Sequence, residues 1–260
     1  MKIGAQLYTV QKHIGTLEGF EASLKKIADM GYTCVQVGSG DYDPYWLRDV
    51  LQKYNLKCVM THRKLAEILE NTEQMVKNHE IFGCDHIGLG MMPIELQDSM
   101  EGYEEFKKML LPAALKLRDM GAKFLYHNHR FEFTPLDGKD MLQRMLEDFP
   151  SDCIDFTLDL GWAAYAGADV LKLIEQLSGR ISRVHLKDYT DVPEDGSIDT
   201  FTYLRPIYEG KLDYDAYLKA LKKAGCLYAL VEQDWCYDED EFECLRRSYE
   251  NVTKRFPDMK

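Results

Sequence analysis

The sequence predicts a single-domain (β/α)8 TIM barrel spanning residues 1–260, and three observations predict it. The chain has 260 residues, 45% of them hydrophobic and 12% aromatic, which is enough to bury one large core. Eight short β-rich runs alternate with helical patterns, and no Pro/Gly/Ser-rich linker divides them. Ionisable residues gather at the C-terminal ends of those runs, the end at which barrel enzymes hold their active sites.

The elements follow in order. The first run covers 4–9, and the stretch 17–30 after it carries Leu17, Phe20, Leu24, Ile27 and Ala28 on one helical face. Further runs cover 34–38, 57–62, 86–90, 123–129, 155–159, 181–187 and 228–232, each followed by a helical pattern. Several helices close on the same punctuation: Asp29-Met30-Gly31, Asp119-Met120-Gly121 and Lys223-Ala224-Gly225. Glycine there supplies the left-handed residue that ends a helix before the next strand. An open doubly wound sheet is the alternative, but it usually carries a glycine-rich phosphate turn after its first strand. Here that place holds Tyr8-Thr9-Val10-Gln11-Lys12, so the barrel is preferred. The segment 189–211 is long for a strand-to-helix loop and acidic in its first half, which fits a lid or a solvated connection equally well.

Charge narrows the partners. Lys+Arg 32 against Asp+Glu 44 gives a net charge of −12, which repels phosphate backbones and anionic lipid. DNA, RNA and membrane are therefore not expected as partners. No apolar run approaches the roughly 20 residues of a spanning helix, and the start Met1-Lys2-Ile3-Gly4-Ala5-Gln6-Leu7 does not read as a signal peptide. The seven cysteines form no Cys-x-x-Cys pair. A reducing cytoplasm is their expected setting, with Cys34, Cys58, Cys84, Cys153 and Cys226 packing near strand starts.

The strand ends carry the chemistry. His62 ends the third run, His127 and His129 the fifth, Asp159 the sixth, His185 and Lys187 the seventh, and Glu232 the eighth. An ionisable residue falls four positions after Cys58, Lys123, Asp155 and Tyr228, at His62, His127, Asp159 and Glu232. Residues at even offsets share a face of a strand, so these groups converge at one height in the barrel mouth. His127, Asp159, His185 and Glu232 together offer nitrogen and oxygen donors suited to one divalent ion: Mn, Zn, Co, Fe or Mg. Asp159 and Glu232 each follow an apolar run, where an uncompensated carboxylate costs several kcal/mol. His13, His79 and His86 need only surface or packing roles.

Five segments carry a family resemblance: Gly4-Ala5-Gln6-Leu7-Tyr8-Thr9; Tyr126-His127-Asn128-His129 with Phe131-Glu132-Phe133; Leu158-Asp159-Leu160-Gly161-Trp162; Val184-His185-Leu186-Lys187-Asp188; and Val231-Glu232-Gln233-Asp234. The chain resembles the sugar phosphate isomerase/epimerase family of the xylose isomerase-like TIM barrel superfamily, from end to end. That superfamily also holds endonuclease IV, inosose dehydratase, hydroxypyruvate isomerase and ketose 3-epimerases. The resemblance implies one divalent metal held by Glu, Asp, His and Glu at the ends of strands five to eight. The last three fall on Asp159, His185 and Glu232. The first departs from the pattern, since His127 stands at the strand-five position. Either His127 is a ligand, or Glu132 reaches in from beyond the strand, or the protein supplies three ligands.

The resemblance also implies a metal-dependent isomerase or epimerase acting on a sugar, keto-sugar or related polyol through a metal-stabilised enediolate. Glu232 would take the proton beside the carbonyl, and His127 or His129 would return one. Return to the opposite face gives epimerisation, to the neighbouring carbon isomerisation, and to a leaving hydroxyl dehydration. A lyase of the inosose dehydratase type is thus the alternative, and a non-catalytic sugar- or metal-binding barrel the alternative of another class. An endonuclease IV-like nuclease is disfavoured by the acidic charge. His62 and Lys187 are expected to contact substrate, Trp162 to offer an aromatic platform, and Gln6 and Tyr8 to close the pocket floor. No glycine-rich phosphate cradle follows the seventh or eighth run, so an uncharged or mildly anionic substrate is expected. Homo-oligomers are common in the superfamily.

Overall fold

In the computed structural model, which describes residues 1–38, 40, 42–192 and 203–260, the chain folds as a closed eight-stranded parallel barrel ringed by helices. The strands are β1 (Lys2–Gln6), β2 (Cys34–Val37), β3 (Lys57–Arg63), β4 (His86–Leu89), β5 (Lys123–His127), β6 (Ile154–Asp159), β7 (Arg183–Leu186), β8 (Asp188–Thr190), β9 (Tyr203–Arg205) and β10 (Tyr228–Val231). The barrel runs β1-β10-β7-β6-β5-β4-β3-β2, and β8 pairs with β9 as a separate antiparallel hairpin. Closure comes from β1, which pairs Ala5 with Val35 on one side and with Val231 on the other.

The helices are α1 (Leu17–Asp29), α2 (Pro44–Lys53), α3 (Leu65–Glu70), α4 (Thr72–Ile81), α5 (Met100–Asp119), α6 (Met141–Asp148), α7 (Leu160–Tyr165), α8 (Val170–Gln176), α9 (Tyr214–Lys223) and α10 (Glu241–Arg255). Their starts are chemically marked: Asp43, Asp140, Asp169, Asp213 and Asp240 each accept a backbone N–H of the following first turn. Among the described residues no helix is long and apolar enough to cross a membrane.

Two apolar clusters hold the fold. The larger fills the space between barrel and helices, with Leu24, Ile27, Phe106, Phe124, Phe156 and Leu245 nearly inaccessible. The smaller, Cys34, Val59, Met60, Leu125 and Leu230, includes barrel-interior residues. Cys34, Met60, Leu125 and Leu230 each stand two residues before a polar mouth residue: Gln36, His62, His127 and Glu232. Pleating puts each pair on one face, so an apolar plug lies beneath the polar mouth. All seven cysteines are buried free thiols.

Three boundaries differ from the sequence expectation. The first strand stops at Gln6, because the Gln6 side chain accepts the Tyr8 N–H at 3.2 Å and turns the chain into a 3-10 helix over Leu7–His13. The fifth strand stops at His127, which leaves His129 beyond it, and the seventh is only Arg183–Leu186. The segment 189–211 contains most of the β8–β9 hairpin; its residues 193–202 lie outside the described residues, and with them much of the suggested lid.

Candidate metal centre

Four side chains meet at the C-terminal mouth. One ligand atom each from His127, Asp159, His185 and Glu232 lies within 4.8 Å of the others, and all four residues are buried. Each is set by the end of its own strand: β5, β6, β7 and, one residue past its end, β10. Asp159 is the most tightly placed. Its Oδ1 caps α7 by accepting the Trp162 N–H at 2.8 Å, while the Asn128 amide clamps its backbone, accepting from Asp159 N at 2.9 Å and donating to Asp159 O at 3.3 Å. That leaves Asp159 Oδ2 facing the cluster.

The two imidazoles are oriented by their outer nitrogens. His127 Nδ1 lies 2.9 Å from the Gly90 carbonyl, which only accepts, so this nitrogen carries the hydrogen. His185 Nε2 lies 2.6 Å from the Gln36 amide oxygen, by the same logic a donor. Each ring therefore turns a lone pair inward when neutral, at His127 Nε2 and His185 Nδ1. Those two atoms, with Asp159 Oδ2 and Glu232 Oε2, are buried without a well-formed hydrogen bond. Four inward ligand atoms, held together by close ion pairs among themselves and with Lys187 but without well-formed hydrogen bonds, are what a buried divalent cation fits.

Electrostatics agree. Burial opposes charge on Asp159 and Glu232, yet the Lys187 ammonium and the facing imidazoles hold both carboxyls well below the usual range. His185 works against burial in the other direction: Glu232, at 2.9 Å from its Nδ1, and Asp159 lift it to about 9. In the metal-free protein this imidazole carries a proton that a metal ion must displace. Lys187 is buried, with its Nζ 3.1 Å from Asp159, 3.1 Å from Glu232 and 2.8 Å from Asp234, and it lies 5.1 Å from the Trp162 ring centre. It is a fixed cation above the cluster more than a free arm for substrate.

The expected substrate residues Gln6, Tyr8, His62, Trp162 and Lys187 all line one cavity of about 560 Å³, as does the expected acid/base residue His129. The His62 ring centre lies 5.3 Å from that of His127. His129 lies outside the four-residue cluster; burial and the neighbouring His127 and Lys187 hold it down near 3, a neutral imidazole. Glu132 is not brought to the cluster. Its carboxyl accepts the Tyr126 hydroxyl at 2.8 Å and the His129 backbone N–H at 2.7 Å, and burial pushes it up to about 8. Sequence reasoning assigned no role to Gln36, Gly90, Asn128 or Asp234. Gln36 did leave a signal, as the one polar residue within the run Cys34-Val35-Gln36-Val37. The space at the mouth is also prepared by glycine: a Cβ on Gly88 would stand 2.9 Å from the His62 ring and 2.9 Å from the Thr61 carbonyl.

Fold and site together define a (β/α)8 barrel with a buried His/Asp/His/Glu cluster suited to a divalent metal. The chain belongs to the xylose isomerase-like TIM barrel family, whose sequence model matches residues 24–247. An inosose dehydratase of Geobacillus kaustophilus (strain HTA426) is 25% identical over 190 residues, covering 64% of this chain and 60% of that relative's length. Among solved structures, a sugar phosphate isomerase/epimerase from Parabacteroides distasonis superposes with a TM-score of 0.79 at 18% identity, covering 96% of this chain and 93% of that one. An L-ribulose 3-epimerase superposes with a TM-score of 0.75 at 15% identity, covering 100% and 96%. The IOLI protein, crystallised with a zinc atom, does so at 0.72 and 17% identity, covering 100% and 99%. At these identities the structural likeness is one of fold.

Proposed function

We propose that this protein is a metal-dependent isomerase or epimerase that removes a proton beside the carbonyl of a sugar, keto-sugar or related polyol. The observation that carries this reading is the pair of imidazoles, each with its outer nitrogen tied to an acceptor and its inner nitrogen turned to the two carboxylates. His127, Asp159, His185 and Glu232 would hold one divalent ion, with Glu132 remote from it. When bound, such an ion polarises a substrate carbonyl and stabilises the enediolate charge.

The chain's own residues do the rest. Glu232 lines the cavity and is held deprotonated; the carboxylate oxygen not committed to the ion would accept the proton. His129, neutral at its depth, lines the same cavity and would hand its ring N–H proton to the product, to be reprotonated from solvent as Glu232 releases the proton it took. His62, Gln6, Tyr8 and Trp162 position substrate hydroxyls and a ring face. Lys187 adds a fixed positive charge beside the developing enediolate.

Dehydration is the second reading, favoured by two observations. Glu232 and His129, the two acid/base candidates, are a carboxylate and an imidazole, an asymmetry that suits one base and one acid for a leaving hydroxyl. The curated relatives matched by sequence are also named inosose dehydratase. The unpaired thiols suit a reducing cytoplasm.

The test is metal analysis of the purified protein beside Glu232→Gln and His127→Ala, followed by a screen of keto-sugars and inososes for epimerised, isomerised or dehydrated product. About one divalent ion per chain, lost or weakened in both variants, with turnover abolished in Glu232→Gln, supports the reading. Full turnover in Glu232→Gln overturns it.

A further inference from the structure

A second cavity, of about 710 Å³, opens beside the first and shares Gln6, Tyr8, His62 and Gly90 with it. The metal cavity alone, at about 560 Å³, falls within the roughly 300–1,000 Å³ that holds an entire small ligand. The second chamber is therefore more room than a monosaccharide needs. Its walls also differ in chemistry. The first is lined by charged side chains, among them Lys187, Glu232 and Asp234; the second carries no Asp, Glu, Lys or Arg among the described residues, and Ile14, Leu17, Phe20, Val37 and Tyr42 line it together with the polar Gln6, Gln11, Thr16 and His62.

The aromatic floor is ordered. Phe20 meets Tyr42 edge-on at 6.0 Å between ring centres and Trp46 at 5.5 Å. Phe20 and Trp46 are set by α1 and α2, whose first turns are fixed by the caps Thr16 and Asp43. Tyr8 lines both chambers and is 47% exposed, so it is within reach of a ligand in either. Gly15 and Gly38 line the chamber, and among the described residues neither would bring a Cβ within 4 Å of another group.

We infer that the second chamber binds the non-reacting end of the substrate, and that this end is an apolar, planar substituent: the substrate is a sugar or polyol carrying an aryl group, not a free monosaccharide. An aromatic substituent gains edge-to-face and stacked contacts with Tyr8, Phe20 and Tyr42, beyond the area it buries. Binding energy taken up there holds the sugar against the reacting groups of the first chamber. The inference rests on the reading that the sugar portion sits in the metal cavity.

Two arms of one experiment test it, with phenol and with paired phenyl and methyl glycosides of glucose, galactose, mannose and xylose as probes. In the first arm, phenol is titrated into metal-free, isotope-labelled protein. The expected result is a saturable shift of the Gly15 and Gly38 amide signals; no shift at either overturns the chamber as an aryl site, whatever the state of the metal centre. In the second arm, calorimetry on manganese-loaded protein compares each glycoside pair. At least one phenyl glycoside is expected to bind about tenfold more tightly than its methyl counterpart. Gly38→Phe, which fills the chamber, is expected to retain its metal while that ratio falls toward one. Phenyl and methyl glycosides that match throughout overturn the linked-substrate inference even if phenol binds. Failure of the metal-centre reading shows separately, as absence of metal with the phenol shifts intact.

Discussion

His185 Nε2 and the Gln36 amide oxygen lie 2.6 Å apart, joining strands from opposite parts of the chain across the barrel interior. This bond does for His185 what the Gly90 carbonyl does for His127: it fixes which nitrogen carries hydrogen and which faces the cluster. Gln36→Ala removes the acceptor and frees the ring to tilt or change tautomer. Metal affinity is expected to fall about 10–100-fold while the fold is retained. Calorimetric titration of manganese or zinc into both proteins reads this directly, and equal affinities would show that Gln36 does not orient the ligand.

Lys187 is the cation that makes the buried Asp159 and Glu232 and the half-buried Asp234 tolerable in the metal-free barrel: all three carboxylates lie within 3.1 Å of its Nζ. Lys187→Met keeps length and apolar volume but strands those charges. The metal-free variant is expected to lose about 3–5 kcal/mol of stability, the usual cost of breaking a buried pair on one side. Added divalent ion restores opposite charge, so the melting point should rise more in the variant than in the parent protein. Denaturant melts with and without manganese check both statements, and a metal-free variant as stable as the parent would refute them.

Glu132 decides between the ligand sets left open by the sequence. Its carboxyl is engaged by Tyr126 and His129, and burial makes its neutral form the favoured one up to about pH 8. Glu132→Gln is close to isosteric with that neutral acid, so metal content and melting point should stay near those of the parent. Glu132→Ala empties a buried site and leaves the Tyr126 hydroxyl unpaired, and is expected to cost about 2 kcal/mol or more. Loss of metal in the Gln variant would restore Glu132 as a ligand.

Much of this architecture was legible because it is periodic. Alternating runs and helix-closing glycines point to the barrel, and the repeated even offset brings His62, His127, Asp159 and Glu232 to one mouth. What escaped was set by single side-chain bonds, some local and one long-range. Gln6 ends β1 early through one contact to the Tyr8 N–H, which moves Tyr8 off the strand and onto a 3-10 turn. The Gln36–His185 bond spans 149 residues, and no local pattern announces it. Glu132 lies near enough in sequence to be a ligand, and only the Tyr126 hydroxyl pulling it to the other side of β5 shows otherwise.

Gly161 is the point where α7 passes closest to the end of β7. A Cβ there would stand 2.5 Å from the Lys187 carbonyl and 2.7 Å from the Lys187 Cβ. Backbone cannot yield cheaply at that distance, so Gly161→Ala must shift either Asp159, two residues away, or Lys187. An expected cost of about 1–3 kcal/mol in stability should come with weakened metal binding. Gly121→Ala is the contrast. Its Cβ would meet nothing within 4 Å but sits at φ +82°, so it should lose stability through strain alone and keep metal affinity. Parallel denaturation and metal titration separate the two, and equal metal affinity in both variants would count against the close approach.

His79 gives the protein an acid-sensitive core away from the mouth. Its Nδ1 lies 2.7 Å from the Met75 carbonyl and must donate, so its Nε2, 2.7 Å from the Thr61 hydroxyl, accepts. The neutral ring is thus fully satisfied, and burial holds its titration down near 4 from an ordinary 6.5. Between those values the unfolded chain binds the proton and the folded one does not, so folding stability rises with pH. The contribution is complete above about pH 6.5 and is lost as pH falls toward 4. It amounts to about 3 kcal/mol over that window. Urea unfolding of the parent and of His79→Leu at pH 7.5, 6 and 4.5 isolates it. The variant, lacking two hydrogen bonds, should be less stable at pH 7.5, and the gap should close as the pH is lowered. A gap that stays constant would mean that His79 titrates alike in both states, and the proposed acid sensitivity would have to come from other groups.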